Sequence, residues 1–171
     1  MKKSRYEKYV VRKPAIVKKV GDKYIDVMPE GDKIPNERPE YTGPRVIISK
    51  ETMPPASTII EYCYVTGDTV VGTGVDFVPH KHDYEEIFIF LGTNPEDTME
   101  LGAEIDFYLG EGPELEKVTL TKSATVYVPA GLAHFPQVWK NVRKPVFTMV
   151  VMPDAAGKKN VIPVSMEGRM K

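Results

Sequence analysis

The stretch Gly74-Val75-Asp76-Phe77-Val78-Pro79-His80-Lys81-His82-Asp83-Tyr84-Glu85-Glu86-Ile87-Phe88-Ile89-Phe90-Leu91-Gly92 decides the reading of this chain. His80 and His82 stand two apart, and residues i and i+2 of an extended strand project from the same face, so their imidazoles can converge on one point. A short polar link then leads into an apolar run, residues 87–91, whose composition and length suit a strand. A carboxylate at the start of that run can fold back toward the imidazoles. Glu85 and Glu86 both qualify, and the run does not choose between them because both its faces are apolar.

On either side of this stretch, short β-branched and aromatic runs recur between Gly, Pro and Asp: residues 46–49, 57–65, 69–71 and 75–82 before it, then 103–109, 118–121, 125–128 and 146–152. Many short strands with turn signals and little helical periodicity predict an all-β sandwich, jelly roll or barrel. Helix is expected only as one turn over residues 113–117 and a short piece within the first ten residues. Residues 15–20 and 24–28, joined by Gly21-Asp22, read as a hairpin. Pro29, Pro35, Pro39 and Pro44 then mark a wrapping loop. The expected organisation is an N-terminal arm, hairpin and Pro-rich loop over 1–50, a barrel over 51–155 and a C-terminal tail over 156–171.

A length of 171 residues suits one domain, and 42% hydrophobic with 27% charged residues is ordinary for a globular chain. With 23 basic and 24 acidic residues the net charge is -1, and there is no basic stripe for nucleic acid. No apolar run approaches the roughly 20 residues of a membrane helix. The basic start, Met1-Lys2-Lys3, has no apolar stretch behind it, so a cytoplasmic location is the expectation. Cys63, the single cysteine, excludes an intrachain disulfide and multi-cysteine zinc sites. Between Tyr62 and Tyr64 it reads as a buried core thiol.

The third and last histidine, His134, follows Val126-Tyr127-Val128-Pro129-Ala130-Gly131-Leu132-Ala133, where a strand ends in a Pro-x-Gly turn. In a closed sheet this distant strand can lie beside the His80-His82 pair. A lone histidine on a strand is ordinarily a surface or hydrogen-bonded residue. Three histidines that each fall at a metal-compatible spacing, beside a carboxylate that would be costly to bury unpaired, point instead to a bound cation. Three imidazoles and one carboxylate suit a divalent Fe, Mn, Ni, Cu or Zn ion and suit Ca or Mg poorly. An octahedral ion held by four such ligands keeps two positions open for water or substrate.

These residues resemble the two motifs of the cupin superfamily. The first, Gly-x5-His-x-His-x3,4-Glu-x6-Gly, is matched from Gly74 through His80, His82 and Glu86, closing at Gly92 one residue early. The second, Gly-x5-Pro-x-Gly-x2-His-x3-Asn, is matched at Pro129, Gly131 and His134. Ser123 stands in place of its first Gly and Val138 in place of its Asn, which puts turn shape and subfamily in question. The resemblance covers about residues 57–152. It implies a double-stranded β-helix barrel in which His80, His82, Glu86 and His134 are the metal ligands. Residues 93–104 lengthen the usual gap between the motifs, as in a largely uncharacterised branch.

Around such a site Val78 and Phe90 are expected to line the barrel, and Tyr62, Tyr64, Phe88, Glu104, Tyr127 and Gln137 are candidate substrate contacts, with Trp139 at the entrance. Alternation places Glu104, Asp106 and Tyr108 on one strand face, which is expected to be solvated. Cupins include dioxygenases, isomerases, lyases, decarboxylases and non-catalytic binders, and fold does not choose among them. The functional expectation is a metal-dependent protein acting on a small oxygen-rich or anionic molecule that coordinates the ion. The alternative is a non-catalytic binding or sensor module. Cupins commonly pair through N-terminal strands, so a homodimer is expected, with the Pro-rich loop wrapping a neighbour.

Overall fold

The computed structural model describes residues 5–20, 23–31, 34, 36, 41–73, 78–156 and 161–169. The Gly21-Asp22 turn, Pro35, Pro39 and residues 74–77 of the first motif lie outside the described residues.

Among the described residues thirteen strands follow one another: β1 (Ala15–Val20), β2 (Lys23–Val27), β3 (Val46–Ile48), β4 (Ile59–Val65), β5 (Thr69–Val71), β6 (His80–Lys81), β7 (Glu86–Gly92), β8 (Glu100–Leu109), β9 (Glu116–Lys122), β10 (Ala124–Val128), β11 (His134–Lys140), β12 (Val146–Met152) and β13 (Ile162–Pro163). They form a seven-stranded sheet in the order β10-β7-β12-β4-β3-β1-β2 and a six-stranded sheet in the order β13-β6-β11-β8-β9, with β5 also on β11. The double-stranded β-helix is therefore present, and the N-terminal hairpin β1–β2 extends one of its sheets through β3. Among the described residues helix is confined to two single 3-10 turns, Glu7–Tyr9 and Gly112–Glu114.

Residues directly opposite across antiparallel strands share a face, so the register sorts the seven-stranded sheet into two sides. Cys63, Thr148 and Phe90 are aligned across β4, β12 and β7, as are Glu61, Val150 and Phe88. Phe88 and Phe90 are fully buried, which makes this the inner side. The six-stranded sheet answers with Ile105, Phe107 and Trp139. Phe90 meets Phe107 and Trp139 edge-on at centroid distances of 6.2 and 5.7 Å, an arrangement in which the positive ring edge faces the negative ring face.

The outer side of the same sheet is also apolar. Tyr62, Met149 and Ile89 form one row across β4, β12 and β7, and Tyr64, Phe147 and Leu91 the next. Tyr64 and Leu91 are 47% and 43% exposed.

Gly92 closes β7 because no side chain fits there: a Cβ would stand 1.7 Å from the Glu100 carbonyl oxygen. Its N–H donates to Ser123 Oγ at 3.2 Å. The serine that departs from the second motif thus ties the end of the first.

Phe90→Ala removes a fully buried ring between two aromatic partners, and should cost roughly 3–5 kcal/mol of unfolding free energy. Chemical denaturation followed by tryptophan fluorescence measures it.

Candidate metal centre

The three histidines come from three places in the fold. His80 opens the two-residue strand β6, His82 follows it, and His134 opens β11 directly opposite His80. All three are buried, at 5%, 2% and 0% exposure. Their candidate ligand nitrogens lie within 4.8 Å of one another.

Each ring is held at its far nitrogen by a main-chain carbonyl two residues away. His80 Nδ1 bonds Val78 O at 2.7 Å, His82 Nδ1 bonds Tyr84 O at 2.7 Å and His134 Nδ1 bonds Leu132 O at 3.2 Å. A carbonyl only accepts, so Nδ1 carries the proton and the neutral ring turns the lone pair of Nε2 inward. Tyr84 adds a second restraint, stacking on the His82 ring at 3.9 Å and 6°.

Glu86 enters from β7 on the inner side, with Val128 of β10 opposite it. Its carboxylate oxygens stand 3.2 Å from His82 Nε2 and 3.1 Å from His134 Nε2. These contacts are close but misaligned, and His82 Nε2, His134 Nε2 and Glu86 Oε2 are buried with no hydrogen-bond partner. Buried polar atoms are rarely left in that state. Atoms aimed at a common point rather than at each other fit a cation between them. Glu85, the competing carboxylate, lies on the other side and accepts a hydrogen bond from Tyr127 at 2.6 Å.

The second motif turn completes the frame. Gly131 adopts φ +84°, a left-handed conformation that glycine takes without strain. Its N–H donates to His82 O at 2.8 Å, so the turn before His134 is bonded to the residue carrying His82.

The other candidate residues divide by face. Phe88 lies 5.9 Å from the His134 ring. Gln137 is buried opposite Phe107 and accepts a hydrogen bond from Trp139 Nε1 at 3.3 Å. Both Gln137 and Trp139 therefore face inward. Tyr62, Tyr64 and Tyr127 are on the outer side, and Glu104 pairs outward with Lys140 at 3.9 Å. These four are not brought to the imidazoles. Val78 is 40% exposed and contributes its carbonyl rather than its side chain. The face of Glu104 is not uniformly solvated. Its Asp106 is buried under Thr119 Oγ1 at 2.7 Å and Lys140 Nζ at 2.5 Å.

Sequence reasoning missed two inner-side features. Glu61 is aligned with Phe88 through Val150, and it contributes to the field that, after burial and Glu86, raises the Tyr84 hydroxyl pKa. Cys63 is half-buried rather than buried, on the same inner side. Only the strand register reveals either.

No family model and no curated protein matches this sequence. Solved structures do match in fold. An oxalate oxidase is 13% identical with a TM-score of 0.51, over 91% of this chain and 80% of that one. A Bacillus subtilis oxalate decarboxylase variant is 11% identical with a TM-score of 0.50, over 73% of this chain and 28% of that one. A vicilin from Solanum melongena is 12% identical with a TM-score of 0.47, over 68% of this chain and 27% of that one. This chain thus spans under a third of the vicilin and decarboxylase chains. The fold is that of the cupin superfamily, and it carries a three-histidine cluster able to hold a metal.

Burial lowers the His80 pKa from 6.5 to about 4. As pH falls from 6.5 to 4 the unfolded chain protonates its histidine while folded His80 does not. Metal-free protein should therefore lose stability on acidification, His80 alone accounting for roughly 3 kcal/mol. Denaturation midpoints across this pH range test it, and His80→Asn should flatten the upper part of the curve.

Proposed function

We propose that the chain is a metal-dependent cupin in which His80, His82, Glu86 and His134 hold one divalent Fe, Mn, Ni, Cu or Zn ion. It acts on a small oxygen-rich or anionic molecule that coordinates that ion. One observation carries this reading: buried Nε2 atoms and a buried carboxylate oxygen converge without hydrogen-bond partners, while every Nδ1 is fixed behind them. When bound, the ion supplies Lewis acidity or O₂ activation.

The chain's own residues supply the walls. Phe88 excludes water on one side of the cluster, and buried Gln137 offers a polar group from β11. Glu61, Cys63, Thr148 and Val150 face inward yet keep partial access to solvent. That combination supports an interior open to a small molecule.

A homodimer belongs to the same reading. The partly buried apolar row Tyr62-Met149-Ile89 and its neighbour Tyr64-Phe147-Leu91, of which Tyr64 and Leu91 are exposed, support it as surface to cover. No helix among the described residues is long and apolar enough to cross a membrane. The cytoplasmic expectation is retained as part of the proposal.

Elemental analysis of untagged wild-type protein should find near one equivalent of one of these metals, and His82→Ala and Glu86→Ala should each lose it. Metal retained by both variants would defeat the assignment. Light scattering should give twice the chain mass, with Leu91→Lys shifting it to the monomer; a monomeric wild type removes the dimer.

A further inference from the structure

We propose that the C-terminal segment, residues 162–169, is a strap that holds the imidazole cluster in place, with Arg169 as its positioning residue. The inference rests on the metal-site reading above.

The strap touches the strands of two histidines. At its start, Pro163 pairs with His80, and Val164 N–H donates to Pro79 O at 2.8 Å. Strand β6 is only two residues long. It keeps its position because β11 flanks it on one side and β13 on the other.

At the strap's end the chain makes a turn. Ser165 Oγ accepts from Glu167 N–H at 3.0 Å, and Arg169 N–H donates to Met166 O at 3.0 Å. Gly168 passes through φ +79° with Leu115 beside it, a conformation glycine takes freely. The turn delivers the Arg169 side chain into the protein at 5% exposure.

There the guanidinium donates to three main-chain carbonyls. Nε reaches Ser165 O at 3.1 Å, Nη2 reaches Gly110 O at 2.5 Å, and Nη1 reaches Phe135 O. Gly110 N–H donates in turn to Ala133 O at 2.7 Å. Arg169 therefore joins the end of β8 to the start of β11 on both sides of His134.

That start is irregular. The register of β11 against β8 shifts between His134 and Gln137, and Phe135 sits at φ +75°, where a bulky residue is strained. A strained residue keeps its conformation only where its surroundings enforce it. The Arg169 guanidinium, with Nη1 on the Phe135 carbonyl and Nη2 on the Gly110 carbonyl, supplies that enforcement one residue from His134. A buried cation satisfied by carbonyls is costly for stability alone, and it is explained by holding this segment.

The test uses full-length, metal-stripped protein titrated with Mn(II), the bound ion followed by electron paramagnetic resonance. Arg169→Ala should weaken Mn(II) binding about 10- to 100-fold, the range for outer partners of metal ligands. Free guanidinium, below concentrations that unfold the protein, should restore affinity to Arg169→Ala and leave wild type unchanged. Arg169→Lys, which keeps the cation without the fork, should fall between and serves if the alanine variant does not fold. Wild-type affinity in both variants, or a loss that guanidinium does not rescue, overturns the inference while the metal site stands. The same titration is run with Fe(II), Ni(II), Cu(II) and Zn(II), and a wild type that binds none of the five ions removes the metal-site reading and this inference with it.

Discussion

Three hydrogen bonds from imidazole Nδ1 to main-chain carbonyls two residues away set the geometry on which the site depends. Each bond is local, so each ring's tautomer and direction are fixed by its own strand. The convergence of the rings is then a matter of bringing three short segments together. β6 against β11 does this for His80 and His134, and the Gly131 turn bonded to His82 O does it for the remaining ring. Preformed ligands lose little freedom on binding an ion, and a fixed Nδ1–H also raises the basicity of Nε2.

The rest of the barrel serves this arrangement by excluding water. Phe88 and Phe90 from one sheet and Phe107 and Trp139 from the other make an aromatic core under the imidazoles. Glu86 begins the same strand that supplies both phenylalanines. The apolar run therefore places the carboxylate and the packing that desolvates it in a single step. Desolvation strengthens each electrostatic interaction inside the site and makes an uncompensated charge there expensive.

Much of this was legible in sequence because it rests on local spacing. The i, i+2 histidines, the Pro-x-Gly turn before His134 and the all-β alternation are periodicities of a few residues. The choice between Glu85 and Glu86 was not legible from the strand itself. Ile87, Ile89 and Leu91 are apolar because they belong to the outer row, so alternation gave no sign of which side was interior. The same ambiguity put Tyr62, Tyr64 and Tyr127 among the candidate contacts and hid Glu61, since only pairing with β12 reveals the side. Arg169 was beyond reach, because its partners Phe135 and Gly110 are 34 and 59 residues away.

The junction of Gly92 with Glu100 has a consequence for how such a chain can diversify. The two strand ends meet where the Glu100 carbonyl fills the space of the missing Cβ, and Glu100 is tied further to Asn94 and Lys144. The loop between them, residues 93–99, leaves and returns at one fixed gate. Its length can therefore change without transmitting a displacement to β7 or β8, and exposed loop tips are where insertions are best tolerated. A new recognition surface can be grafted there while the interior with its imidazole cluster stays as it is.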